Sequence, residues 1–112
     1  MKLSAEAVDS SLVVRLCESR LDAAIAIEFK DRMREMLAYP SPHVVLDMAE
    51  VGFLDSSGLG ALVAVMKSLS PGRQLELRGL SANVERVFRL TRMDSVFTIS
   101  ADVPRDGLRD VG

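Results

Sequence analysis

Residues 44–69 read VVLDMAEVGFLDSSGLGALVAVMKSL, and this stretch decides the architecture. Together with His43, the segment HVVLDM is a short, nearly continuous apolar run of the kind that forms a strand buried on both faces. AEVGFLD then extends or kinks that strand. Beyond Asp55, Leu59, Leu62, Val63 and Met66 recur on one side of a helix. Gly58 and Gly60 remove side chains where the chain has to turn sharply from strand into helix. No charge appears between Asp55 and Lys67.

The flanks repeat this alternation. Upstream, LSAEAV and SSLVVRLC carry strand signatures, with DSS between them as a hairpin turn. Asp22 stands where a first helix should begin, and Ile25, Phe29, Met33, Met36 and Leu37 form its stripe. YPSP ends that helix, because proline disfavours helical geometry at itself and at the residue before. Downstream, SPGRQ reads as a turn and LELRGL as a half-buried strand. Ser81 caps a third helix carrying Val84, Val87, Phe88 and Leu90, with Glu85 one turn inside. DSVFTIS is expected as a last short strand, and ADVPRDGLRDVG as at most one turn of helix. The expectation is an α/β fold: an opening hairpin, then alternating strands and helices in a mixed sheet of four or five strands, with helices mainly on one face.

The 112 residues suit one domain, 1–112, with a single core. Hydrophobic residues at 48% and charged residues at 27% exclude a disordered chain. A net charge of −2 gives no reason to expect direct nucleic-acid binding or an anionic membrane as partner. The N-terminus lacks the apolar core of a signal peptide, and the longest uncharged run, Ser56–Met66, is too short to cross a bilayer. Cys17, the only cysteine, is expected as a small core residue, and a cytoplasmic setting follows.

Three readings compete for Asp55-Ser56-Ser57-Gly58-Leu59-Gly60. In the first, Asp55, Ser56 or Ser57 caps the helix, which leaves at least one hydroxyl without a structural duty. In the second, the loop cradles a phosphate or forms a nucleophile elbow. A P-loop, however, needs Lys-Ser/Thr after its glycines, and Leu54 occupies the elbow's first glycine position. A serine nucleophile would also need a base, and His43 is the only histidine. In the third, Ser56 is modified. A phosphate there would add roughly −1.5 to −2 charges, favoured by the helix end and repelled by Asp55. Gly60, Ala61, Ala64 and Ser68 make the helix's other face small and uncharged, so it either packs internally or receives a partner.

FLDSSGLGALVAVMKSL resembles the signature of the STAS domain in bacterial anti-sigma factor antagonists. The resemblance extends to RLDAAIAIEFKDRM, HVVLDM and SANVERVFRLTRMDSVFTI, nearly the whole chain. It implies a STAS-like sheet and a partner-switching function without enzymatic activity or a cofactor of its own. Unphosphorylated antagonist would bind an anti-sigma factor that is also an ATP-dependent serine kinase, releasing a sigma factor. Phosphorylation of Ser56 would block binding, and a serine phosphatase would reset the switch. ATP would be bound by the kinase. Asp22 would lie beside the partner surface formed by Asp55, Ser56, Ser57, Gly58, Leu59, Gly60, Ala61 and Ala64. The chain departs from the family pattern at Ser19, often a glycine, and at Ser81-Ala82, usually Ser-Pro. Other readings are a non-phosphorylated STAS subunit of a larger lipid-transport or stressosome-like assembly, and a small nucleotide-binding protein. The expected oligomeric state is a monomer or weak dimer.

The remaining candidates have plain explanations. His43 reads as a turn or strand-edge residue, with no second metal ligand nearby in sequence. Asp47, Glu50 and Asp55 match no metal-binding loop spacing. Arg86, Arg89 and Arg92 read as a solvated face that complements the end of the third helix.

Overall fold

A computed structural model describes residues 1–100. Strand β1 (Leu3–Val8) and strand β2 (Ser11–Leu16) form the opening hairpin. Asp9 takes a left-handed φ of 55° in the two-residue turn, a conformation that aspartate tolerates better than most residues. The chain continues through β3 (Arg20–Leu21), α1 (Ala26–Met36), β4 (His43–Asp47), β5 (Phe53–Leu54), α2 (Ser56–Ser68), β6 (Gln74–Arg78), α3 (Ala82–Leu90), a 3₁₀ turn at Met93–Ser95 and β7 (Thr98–Ser100). Five strands form one sheet in the order β1-β2-β4-β6-β7, antiparallel at the hairpin and parallel beyond it. The mixed sheet expected from sequence is therefore present.

Period-two patterning separates the faces of this sheet. Leu12, Val14 and Leu16 on β2, Val44 and Leu46 on β4, and Leu75 and Leu77 on β6 point into the core. There they meet Phe29 and Met33 of α1, Leu62 and Val65 of α2, and Val84 and Phe88 of α3. Phe97, just before β7, packs edge-on against Phe88 with ring centroids 5.5 Å apart. The opposite face carries Ser11, Arg15, His43, Asp47, Glu76, Arg78 and Ser100. The helices thus cover the apolar face alone.

Several local expectations need correction. Helix α1 starts at Ala26, because Asp22 builds a turn ahead of it: the Asp22 carbonyl accepts from the N–H groups of Ile25 and Ala26. Leu90 is 77% exposed at the end of α3, off the stripe set by Val84 and Phe88. Asp94 and Ser95 belong to the 3₁₀ turn, so β7 is only three residues long. Cys17 is half-buried just beyond β2. The expected helical turn in ADVPRDGLRDVG lies outside the described residues.

The YPSP stop is held from a distance. Arg73 donates from Nη1 to the Leu37 carbonyl at 2.9 Å, from Nη2 to Tyr39 at 2.9 Å and from Nε to Ser41 at 2.8 Å. A guanidinium opposite the end of α1 satisfies carbonyls that the helix leaves open and complements its dipole.

Candidate functional site

The short strands β3 and β5 pair in parallel, Arg20 with Phe53 and Leu21 with Leu54. This pairing brings the start of α1 and the start of α2 together at the C-terminal ends of the sheet strands. Asp55 is the N-cap of α2 in an extended conformation. Its Oδ1 accepts from the Gly58 N–H at 2.8 Å, and its carbonyl accepts from Leu59 N–H at 2.9 Å. Its Oδ2 accepts from the Ala23 N–H at 3.2 Å. One carboxylate therefore caps α2 and fastens the turn before α1 to it.

Gly58 is set by contact rather than by its own φ. A Cβ there would lie 2.1 Å from the Leu21 carbonyl oxygen and 2.8 Å from Leu54 Cδ1. Only a residue without a side chain allows α2 to approach β3 this closely. Gly60 is the opposite case, since a Cβ would meet nothing within 4 Å.

Asp22 is nearly buried on the other side of this junction. Its Oδ1 accepts from Ala24 N–H at 3.1 Å, and its Oδ2 accepts from Arg20 Nε at 2.7 Å. The Arg20 guanidinium holds the Asp22 carboxyl below its ordinary range; partial burial opposes this and the Ala24 N–H adds to it. The same guanidinium lies 5.2 Å from the centroid of the half-exposed Phe53 ring. The two segments that lead into α1 and α2 are thus knit into one corner.

Ser56 and Ser57 occupy the first two helical positions, and both are exposed. With Asp55 as the cap, neither hydroxyl makes a hydrogen bond to another described residue. Capping therefore leaves both hydroxyls without a structural duty. Leu59 is half-buried, while Gly60 and Ala64 are exposed and Ser57 opens onto a groove between α1 and α2. Gly58 and Ala61, expected on the partner surface, are buried. Ala61 turns inward because the buried stripe of α2 is Gly58, Ala61, Leu62 and Val65. The sequence reading also missed Ile27 and Lys30 of α1, which line the same groove. The available signal was phase: Ile27 is apolar yet falls off the stripe set by Phe29 and Met33.

The capping geometry also bears on phosphate binding. A phosphate-cradling loop needs free N–H groups at its helix start. Here the Gly58 and Leu59 N–H groups are taken by Asp55.

His43 begins β4, at the end of the sheet opposite the serine pair, and so is no base for Ser56. Its Nε2 donates to Glu76 Oε1 at 2.8 Å, since a carboxylate only accepts. In the neutral ring, Nδ1 then accepts from the Ser11 hydroxyl at 2.9 Å. Arg78 Nε and the Ser100 hydroxyl donate to Glu76 Oε2, the former at 2.8 Å. Burial raises the Glu76 pKa, but Arg78, Ser100 and His43 together outweigh it and hold the group at about 2. Asp47 is buried beside Arg15, 3.4 Å from its Nε, and accepts from Ala49 N–H at 2.9 Å. No three potential metal ligands cluster among the described residues.

The family model described as the STAS domain matches residues 2–105. This chain belongs to the STAS domain family. The STAS chain is 31% identical over 80 residues to the anti-sigma-B factor antagonist of Listeria monocytogenes, an alignment covering 70% of each protein. That similarity places it among the anti-sigma factor antagonists. Its fold matches an anti-sigma factor antagonist from Mycobacterium paratuberculosis with a TM-score of 0.82 at 24% identity, covering 98% of this chain and 92% of the other. It also matches the Bacillus cell fate determinant SpoIIAA in its phosphorylated form, with a TM-score of 0.68 at 18% identity, covering 99% and 100%. No helix among the described residues of the STAS chain is long and apolar enough to cross a membrane.

Proposed function

We propose that this STAS domain, spanning 1–112, is the phosphorylation-controlled member of a partner switch. In this reading it binds an anti-sigma factor that is also a serine kinase, and thereby frees a sigma factor. The kinase transfers phosphate from its own ATP to Ser56, the complex separates, and a serine phosphatase restores the hydroxyl. The STAS domain itself acts by binding, not by catalysis, in the cytoplasm.

The observation that carries this reading is the contrast between a fixed backbone and free hydroxyls at the start of α2. Asp55 takes over the capping duty, so Ser56 is exposed at a position the fold does not need. A dianion there would meet the favourable helix end and the unfavourable Asp55 carboxylate at once. These effects oppose each other inside the domain, so the larger consequence falls on whatever docks against the loop.

The test uses a serine kinase that co-purifies with this protein. With ATP, wild-type protein should gain one phosphate by intact mass and Ser56→Ala none. Ser56→Asp should keep its thermal unfolding profile and lose kinase binding. Label retained on Ser56→Ala would refute the site, and equal binding by wild type and Ser56→Asp would refute the switch.

A further inference from the structure

The groove that opens beside Ser57 does not end there. It runs down between α1 and α2 past Gly60 and then Ala64, with Lys30 bordering both its upper and lower parts and Arg34 on the lower wall. Among the described residues, Lys30 and Arg34 carry its only formal charges, in a protein whose net charge is −2. Arg34 is paired on its outer side with Asp31 at 3.3 Å. No carboxylate among the described residues lies within ion-pair distance of Lys30. The rim bears Ile27, 70% exposed on a helix whose other outward positions include Glu28, Asp31 and Glu35. An aliphatic rim, a low floor and unbalanced positive charge together specify a chemistry.

We propose that this groove receives an acidic segment of the partner with an aliphatic face. Its carboxylates would pair with Lys30 and Arg34, and its apolar side chains would lie against Ile27 and the floor at Gly60 and Ala64. The proposal rests on the reading that the chain binds an anti-sigma factor, and it names the chemistry by which that factor is recognised. It also gives phosphorylation a physical route. Ser56 adjoins Ser57 at the head of the groove, so a dianion on Ser56 sits within about one Debye length of an arriving carboxylate. Attraction at that end becomes repulsion, and like charges brought together at an interface suppress binding strongly.

The experiment needs no kinase. The isotope-labelled protein of residues 1–112 is titrated with two synthetic amphipathic helical peptides that share one leucine face and carry either glutamates or lysines on its flanks. The glutamate peptide should shift the amides of Ile27, Lys30, Gly60 and Ala64 and bind roughly five- to ten-fold more tightly than the lysine peptide at low salt. That preference should shrink as salt is raised. Lys30→Gln should flatten it and Lys30→Glu should invert it, with the dispersion of the amide spectrum reporting that both variants fold. Ser56→Asp should weaken the glutamate peptide alone. Equal affinities for the two peptides, or shifts confined to other surfaces, would overturn the proposal. Concentration-dependent shifts of the same amides without peptide would place a second copy in the groove and also overturn it. Failure here leaves phosphate transfer to Ser56 untouched, whereas a normal peptide preference in a protein the kinase cannot label would sink the switch and spare the groove.

Discussion

Serine hydroxyls are treated in opposite ways in two regions of this molecule. On the open face of the sheet, Ser11 and Ser100 are drawn into a network with His43, Glu76 and Arg78. At the start of α2, Ser56 and Ser57 stand beside the close approach of Gly58 to β3, yet an aspartate does the hydrogen bonding for them. The first arrangement spends hydroxyls on stability, and the second keeps them available. Availability at the serine pair is a consequence of Asp55, not of looseness in the loop.

That contrast can be broken at its strongest point first. Gly58→Ala places a methyl group against the Leu21 carbonyl, and should cost about 3 kcal/mol, seen as a fall of roughly 15 °C in the thermal midpoint. A shift of only a few degrees would mean that α2 can back away from β3 and that the corner is softer than described.

On the open face, Glu76 should make stability depend on acid. Its pKa of about 2 in the folded protein lies below the ordinary 4.5, so the unfolded chain binds the proton first. The stabilisation is present above pH 4.5 and is lost as the pH falls through the window toward 2. Its full size is on the order of 3 kcal/mol. Denaturant unfolding between pH 7 and pH 2.5 should show this loss, and Glu76→Gln should flatten it.

Removing the cap sharpens the comparison further. Asp55→Ala should cost about 1–2 kcal/mol, as expected for a lost N-cap carboxylate. The smallest effects belong to the hydroxyls themselves. Ser56→Ala and Ser57→Ala should each change unfolding free energy by less than about 0.5 kcal/mol, whereas Ser11→Ala should cost about 1 kcal/mol. Equal costs in the two regions would erase the distinction.

Much of this was legible in the sequence. The apolar run at His43–Met48, the helix after Asp55 and the stripe of α1 all follow from periodicity, and Ser81 caps α3 as its position suggests, with its Oγ accepting from Val84 N–H at 3.3 Å. The serine pair stood out because capping needs only one residue. What stayed hidden depends on approach between distant segments. Ala61 is too small for its phase to decide which way it faces, and Leu90 sits where α3 is already leaving the core. The duty of Gly58 appears only once Leu21 is beside it. The partnership of Ser11, His43 and Glu76 depends on strand register, and Arg73's grip on the end of α1 spans 36 residues of sequence or fewer.

The two oxygens of Asp55 reach amides that belong to different segments, Gly58 in its own helix and Ala23 in the turn before α1. Deuterium should therefore enter those two positions together, since a single side-chain departure uncovers both. Neighbouring amides of α1 and α2 would keep their own separate clocks, and removing the carboxylate would release this linked pair ahead of the helices it joins.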